Sequence, residues 1–180
     1  MKKSILSVIV FTIALVFSNE VNAQKFSGLD KSPMDAAAFP ASYRVSDKQV
    51  KIIYSRPQLK GRSLSKLAPA GKVWRTGANE APEITFYKDV TFGGKAVKAG
   101  TYTLFTIPGE KEWTVILSTA KNVWGSYFYK ESEDVVRVSG SVSKAKDTVE
   151  AFSIAFEGED NAYNMYLGWG NVVVSVPVKG

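Results

Sequence analysis

Residues 100–118 read GTYTLFTIPGEKEWTVILS. Tyr102, Leu104 and Thr106 form one alternating run, and Trp113, Val115 and Leu117, opposite Thr114 and Ile116, form another. Pro108-Gly109-Glu110 separates them. β-Branched and aromatic residues at every second position suit half-buried strands, and a Pro-Gly pair between two such runs marks a turn. The pattern recurs outward in both directions. Val50, Ile52 and Tyr54 alternate with Lys51, Ile53 and Ser55, and Ile84 and Phe86 with Thr85 and Tyr87. Later runs cover Val135–Val142, Val149–Phe156, Tyr163–Trp169 and Val172–Val178. Phe92-Gly93-Gly94-Lys95 reads as a tight hairpin, because paired glycines accept the positive φ of primed turns. Lys98-Ala99-Gly100 and Gly168-Trp169-Gly170-Asn171 read as further turns. No long segment has a 3.6-residue period, which argues against a parallel α/β sheet. About nine short strands with frequent turns predict an all-β antiparallel sandwich.

The ends of the chain read differently. Lys2 and Lys3, the apolar run Ile5–Phe17 and the small residues before Gln24 have the three parts of a secretory signal, predicted over residues 1–23. The apolar run is shorter than the ~20 residues of a membrane helix, so no integral span is expected after cleavage. Residues 24–48 read as an N-terminal arm. Within it, Ser32-Pro33-Met34-Asp35-Ala36-Ala37-Ala38-Phe39 predicts one short helix, with Ser32 as cap, Pro33 at its first position and Pro40 ending it. Residues 49–180 are then a single β-sandwich domain. An exported protein, periplasmic or secreted, is the expectation.

The chain has no His and no Cys. That removes imidazole bases, thiolate nucleophiles and the usual zinc or copper ligands. No catalytic residue, metal site or cofactor motif is assigned. Three Ser-x-x-Lys matches, at Ser63, Ser118 and Ser141, lack the partner motifs of penicillin-recognising enzymes. Glu157, Glu159, Asp160 and Asn161 read as a solvated hairpin tip, since calcium-loop spacing is missing. Trp124, Tyr127, Phe128 and Tyr129 are expected to pack in the core or at a strand edge, an exposed glycan platform being the alternative.

The charge is concentrated. Residues 55–80, SRPQLKGRSLSKLAPAGKVWRTGANE, hold six cations against the single acid Glu80. Setting Lys2, Lys3 and Glu20 of the leader aside from the 23 basic and 17 acidic residues leaves 21 and 16, so the remainder of the chain balances. One long ordered loop carries the entire excess. A single basic loop, rather than a basic face, argues against nucleic acid as a partner.

At Tyr54-Ser55-Arg56-Pro57, Lys60-Gly61-Arg62 and Gly71–Glu80 the chain resembles the bacterial domain-of-unknown-function family numbered 2911. Further likeness lies at Ser32-Pro33-Met34-Asp35, Ala99–Pro108, Glu112–Ile116 and Trp124-Gly125. The resemblance covers most of the chain after the leader. It implies a periplasmic or secreted β-rich domain of the kind found in Bacteroidetes-type bacteria, and brings no activity to transfer.

Arg56, Lys60 and Arg62 follow one strand, and Trp74, Arg75, Asn79 and Glu80 precede the next. If those strands are neighbours, both clusters lie at one end of the sheet, where binding loops usually sit. Arginine forks match carboxylate, sulfate or phosphate oxygens, Trp74 offers a flat face and Asn79 can donate and accept. These seven residues are the candidate ligand-binding set, with an anionic small molecule or envelope glycan as partner. In the structural alternative, Trp74 anchors the loop and Arg75 pairs with Glu80. Two further readings stay open: a hydrolase or lyase using Glu80 or Asp89 with Lys60 or an arginine, and an envelope protein that meets a partner chain through the loop or a strand edge.

Overall fold

The computed structural model describes residues 24–180, so the leader expected over 1–23 lies outside the described residues. Nine strands follow in order: β1 (Met34–Phe39), β2 (Val50–Ser55), β3 (Glu83–Phe86), β4 (Val90–Phe92), β5 (Lys95–Val97), β6 (Gly100–Ile107), β7 (Glu112–Ser118), β8 (Asp134–Glu159) and β9 (Ala162–Lys179). A four-residue helix, α1 (Leu64–Leu67), and a 3-10 turn at Glu131–Glu133 complete the elements. The strands form one antiparallel sheet in the order β1-β2-β3-β6-β7-β8-β9-β4-β5.

Alternation places the side chains as predicted. Val50, Ile52 and Tyr54 of β2 and Ile84 and Phe86 of β3 are buried on the inner face. Phe92 pairs with Lys95 across Gly93 and Gly94, both at positive φ, which is the hairpin that the Gly-Gly pair predicts.

All nine strands belong to one hydrogen-bonded sheet, not to two separate ones. The reason lies in β8 and β9, which run 26 and 18 residues and take in segments that read as four strands. Gly168-Trp169-Gly170-Asn171, expected as a turn, is inside β9. Opposite it the β8–β9 register shifts between Lys144 and Val149 and again between Val149 and Ser153. Such irregularities bend a ribbon without breaking the ladder. The far part of the β8–β9 ribbon packs against β1 and β2. Phe39 stacks on Tyr163 at 4.2 Å, and Tyr54 meets Phe152 edge-on at 5.8 Å. The Tyr54 hydroxyl accepts from Ile154 N at 3.0 Å. Phe86 of β3 also reaches Phe92 of β4, far away in sheet order, at 5.8 Å. The main core fills the inner face of this curled sheet.

The predicted helix at Ser32–Phe39 is not formed; Met34–Phe39 is the edge strand β1. Helices this short are marginal alone. The six residues instead pair one-for-one with β2, from Met34 opposite Ser55 to Phe39 opposite Val50, and Phe39 is buried. Tertiary pairing overrides the helical preference of three alanines.

A second, smaller core lies on the outer face of β6 and β7, where Phe105 and Ile116 are buried together with Ala81. Val73 and Val123 pack over them, so two loops roof this face: residues 56–82 and residues 119–130.

Candidate functional site

β2 and β3 are antiparallel neighbours, so the loop that leaves Ser55 returns to the same end of the sheet. Its first arm hooks onto β8. Phe152 N donates to Pro57 O at 2.9 Å, Leu59 N to Glu150 O at 3.0 Å, and Lys60 N to the Glu150 carboxylate at 2.7 Å. After α1, the second arm continues along β6 beyond the end of β3. Trp74 N donates to Thr106 O at 2.7 Å, and Thr106 N returns to Trp74 O at 3.0 Å.

This route separates the predicted residues. Trp74 is only 6% exposed. It stacks on Trp169 at 5.3 Å and meets Phe152 and Trp113 edge-on at 5.2 and 6.1 Å. The indole anchors the loop and presents no free face. Arg56 spends its guanidinium on Asp35 (2.9 Å), Ser153 Oγ (2.7 Å) and Phe152 O (3.1 Å), clipping β1 and β8 together. Arg75 is half-buried with an unpartnered Nε and makes no ion pair with Glu80 among the described residues. Asn79 O accepts from Gly125 N at 2.9 Å. Ser32 N donates to Asp30 Oδ1 at 2.7 Å and is the larger cause, with the nearby Asn79 side chain second, that holds the Asp30 carboxyl below its usual range. Glu80 is exposed and forms an antiparallel bridge with Trp124. Asp89 pairs with Lys98 at 2.7 Å. Among the described residues no ion pair joins Glu80 or Asp89 to Lys60 or Arg75.

Lys60 and Arg62 do share a hollow, of about 520 Å³, with Lys31, Ser32 and Gln58. Arg62 donates Nε to Leu59 O at 2.9 Å and Nη2 to Gln58 O at 2.7 Å, which fixes the guanidinium. Its Nη1 keeps no protein acceptor among the described residues, and neither Lys31 nor Lys60 is paired there with a carboxylate. No acid is among the described residues that line the hollow. Sequence reasoning missed Lys31 and Ser32, because they sit in the arm, 28 residues or more from the loop cations they join.

The loop over residues 119–130 also departs from expectation. Tyr129 packs on Phe105 at 5.2 Å, but Trp124, Tyr127 and Phe128 are 59, 77 and 81% exposed. Beneath them the Tyr129 hydroxyl donates to Asp134 Oδ2 at 2.6 Å, and Arg137 Nη1 bonds the same oxygen at 3.1 Å. Burial, with the Asp134 carboxylate beside it, pushes the Tyr129 hydroxyl well above its usual range. Burial likewise raises Asp134, outweighing its bonds to Tyr129 and Arg137. Glu157, Glu159, Asp160 and Asn161 are exposed at the β8–β9 tip. No group of three or more metal-ligating side chains converges among the described residues. Nor is any described helix long and apolar enough to cross a membrane.

An antiparallel all-β domain with a cationic hollow beside one sheet edge is the class that this geometry defines. The chain belongs to the family described as "Protein of unknown function (DUF2911)", whose model matches residues 33–178. No curated protein and no solved structure matched the chain.

Proposed function

We propose that the protein is an exported binding domain whose ligand carries carboxylate, sulfate or phosphate oxygens, held in the hollow of Lys31, Lys60 and Arg62. One observation carries this reading: three cations without an ion-pair partner among the described residues line one open hollow of about 520 Å³, and no acid is among the described residues lining it. Ser32 and Gln58 add neutral polar groups that can orient a bound oxyanion. The guanidinium is already immobilised on two carbonyls, so little further ordering is lost on binding. Export rests on Lys2, Lys3, the apolar run after them and the small residues before Gln24. An uronate of an envelope glycan and a free small anion share the chemistry recognised.

Thermal-shift measurements with inorganic phosphate, galacturonate and glycerol phosphate test the reading. At least one should raise the midpoint of the wild type, and Lys60→Ala/Arg62→Ala should abolish the rise. Selective response to galacturonate points to a glycan source, and equal response to phosphate to a small anion. Equal midpoint rises in wild type and double variant would remove the assignment.

A further inference from the structure

We propose that Trp124, Tyr127 and the hollow beside them bind pyranose rings of a neutral oligosaccharide. Three large aromatic side chains are exposed within five residues, and a monomer seldom leaves such area uncovered without a use for it. The backbone beneath them is pinned. Ala81 N donates to Val123 O at 3.0 Å, Gly125 N to Asn79 O at 2.9 Å and Ser126 Oγ to Val73 O at 3.1 Å. Tyr127 is also placed, despite its exposure. Gly125 has φ +69°, and a Cβ there would stand 2.6 Å from Tyr127 Cε2, so the phenol ring lies directly against that backbone. A ring held before the ligand arrives costs less to order on binding.

Next to this platform is a hollow of about 210 Å³. Met34, Ile53 and Ala81 supply apolar lining, and Glu80, Glu83 and Asn122 supply polar groups. The main-chain bridge between Glu80 and Trp124 joins hollow to platform. Two features select the ligand. Aromatic faces carry partial negative charge and take the polarised C–H groups of a sugar ring. Ionised carboxylates only accept hydrogen bonds, so the partner must donate, as hydroxyls do. Charge then sets polyols apart from anions. Glu83 already accepts from Asn122 N at 2.9 Å and has the Lys121 ammonium in its field, so a cationic ligand gains little there. Among the described residues Glu80 has no ion-pair partner, and its carboxylate disfavours an anion. This site is distinct from the cationic hollow and requires none of its residues.

The chain's other tryptophans, Trp74, Trp113 and Trp169, are buried, so acrylamide quenching of indole fluorescence reports on Trp124. The protein is titrated with cellohexaose, maltohexaose, xylohexaose, mannohexaose and chitohexaose. At least one should shield Trp124 from acrylamide. Tyr127→Ala and Gly125→Ala should each raise the half-saturating concentration by about fivefold, with far-ultraviolet circular dichroism unchanged. Lys60→Ala/Arg62→Ala should leave it unaltered. Shielding by none of the five sugars, equal shielding in Tyr127→Ala, shielding by choline instead, or shielding that follows protein concentration alone would overturn the proposal.

Discussion

Arg56 and Arg62 sit in one loop, each near a turn residue, yet they do different work. Arg56 ties β1 to β8 through Asp35, Ser153 and the Phe152 carbonyl, whereas Arg62 bonds two carbonyls of its own loop at the rim of a hollow. Hydrogen bonds to a charged group contribute about 1.5–3 kcal/mol each when shielded, and less where solvent screens them. Arg56→Ala should lower stability by about 1–3 kcal/mol in urea unfolding and leave anion binding intact; Arg62→Ala, whose bonds are to carbonyls of its own loop and more exposed, should cost less stability and weaken anion binding. Asp134 supplies a pH test. Its Oδ1 is buried without a partner, and burial raises the carboxyl despite Tyr129 and Arg137 and together with nearby Glu131. The folded state therefore keeps this proton to higher pH than the unfolded chain does. The resulting stability is complete below about pH 4, the ordinary carboxylate value, and is lost as pH rises through the raised value. Asp134→Asn cannot titrate. The melting midpoint of the variant minus that of the wild type should climb as pH increases through the weakly acidic range, and a flat difference would contradict this account.

At the scale of elements, the strands were legible because their side chains alternate. Residues 100–118 are β6, a turn and β7, as their pattern requires. What local pattern does not encode is pairing. Ala36-Ala37-Ala38 has a helical preference, but β2 offers six partners and a burial site for Phe39. Likewise, two apolar runs on either side of Gly168-Trp169-Gly170 belong to one bent strand, because β8 stays paired across them. Trp74 and Trp124 show the same limit. Each is a tryptophan in a loop among small and polar residues. Trp74 reaches the main core through its pairing with Thr106, while the roof over Phe105 and Ile116 is made by Val73, Val123 and Tyr129 and leaves Trp124 outside. Trp74→Ala should therefore cost about 3–5 kcal/mol and loosen the whole 56–82 loop. Hydrogen exchange should rise at Trp74 and Thr106 together; unchanged protection would show that the loop is held elsewhere.

For the molecule as a whole, the excess positive charge was visible in the sequence, but its arrangement was not. A run of cations in the chain fixes neither which carbonyls they turn to nor which distant residue joins them. Folding spends Arg56 on the framework and brings Lys31 in beside Lys60 and Arg62. Attraction at an open cationic hollow is screened over about 8 Å at physiological ionic strength, so anion affinity should fall as salt is raised. In the proposed function the loop divides in space, into a first arm that would meet anions and a second arm that belongs to the core. A heteronuclear NMR titration with inorganic phosphate reads it directly. Amide shifts should saturate at Lys31, Ser32, Gln58, Lys60 and Arg62 and be absent from Trp74 to Glu80. Saturating shifts confined to Trp74–Glu80, or none in either arm with phosphate or galacturonate, would contradict the account.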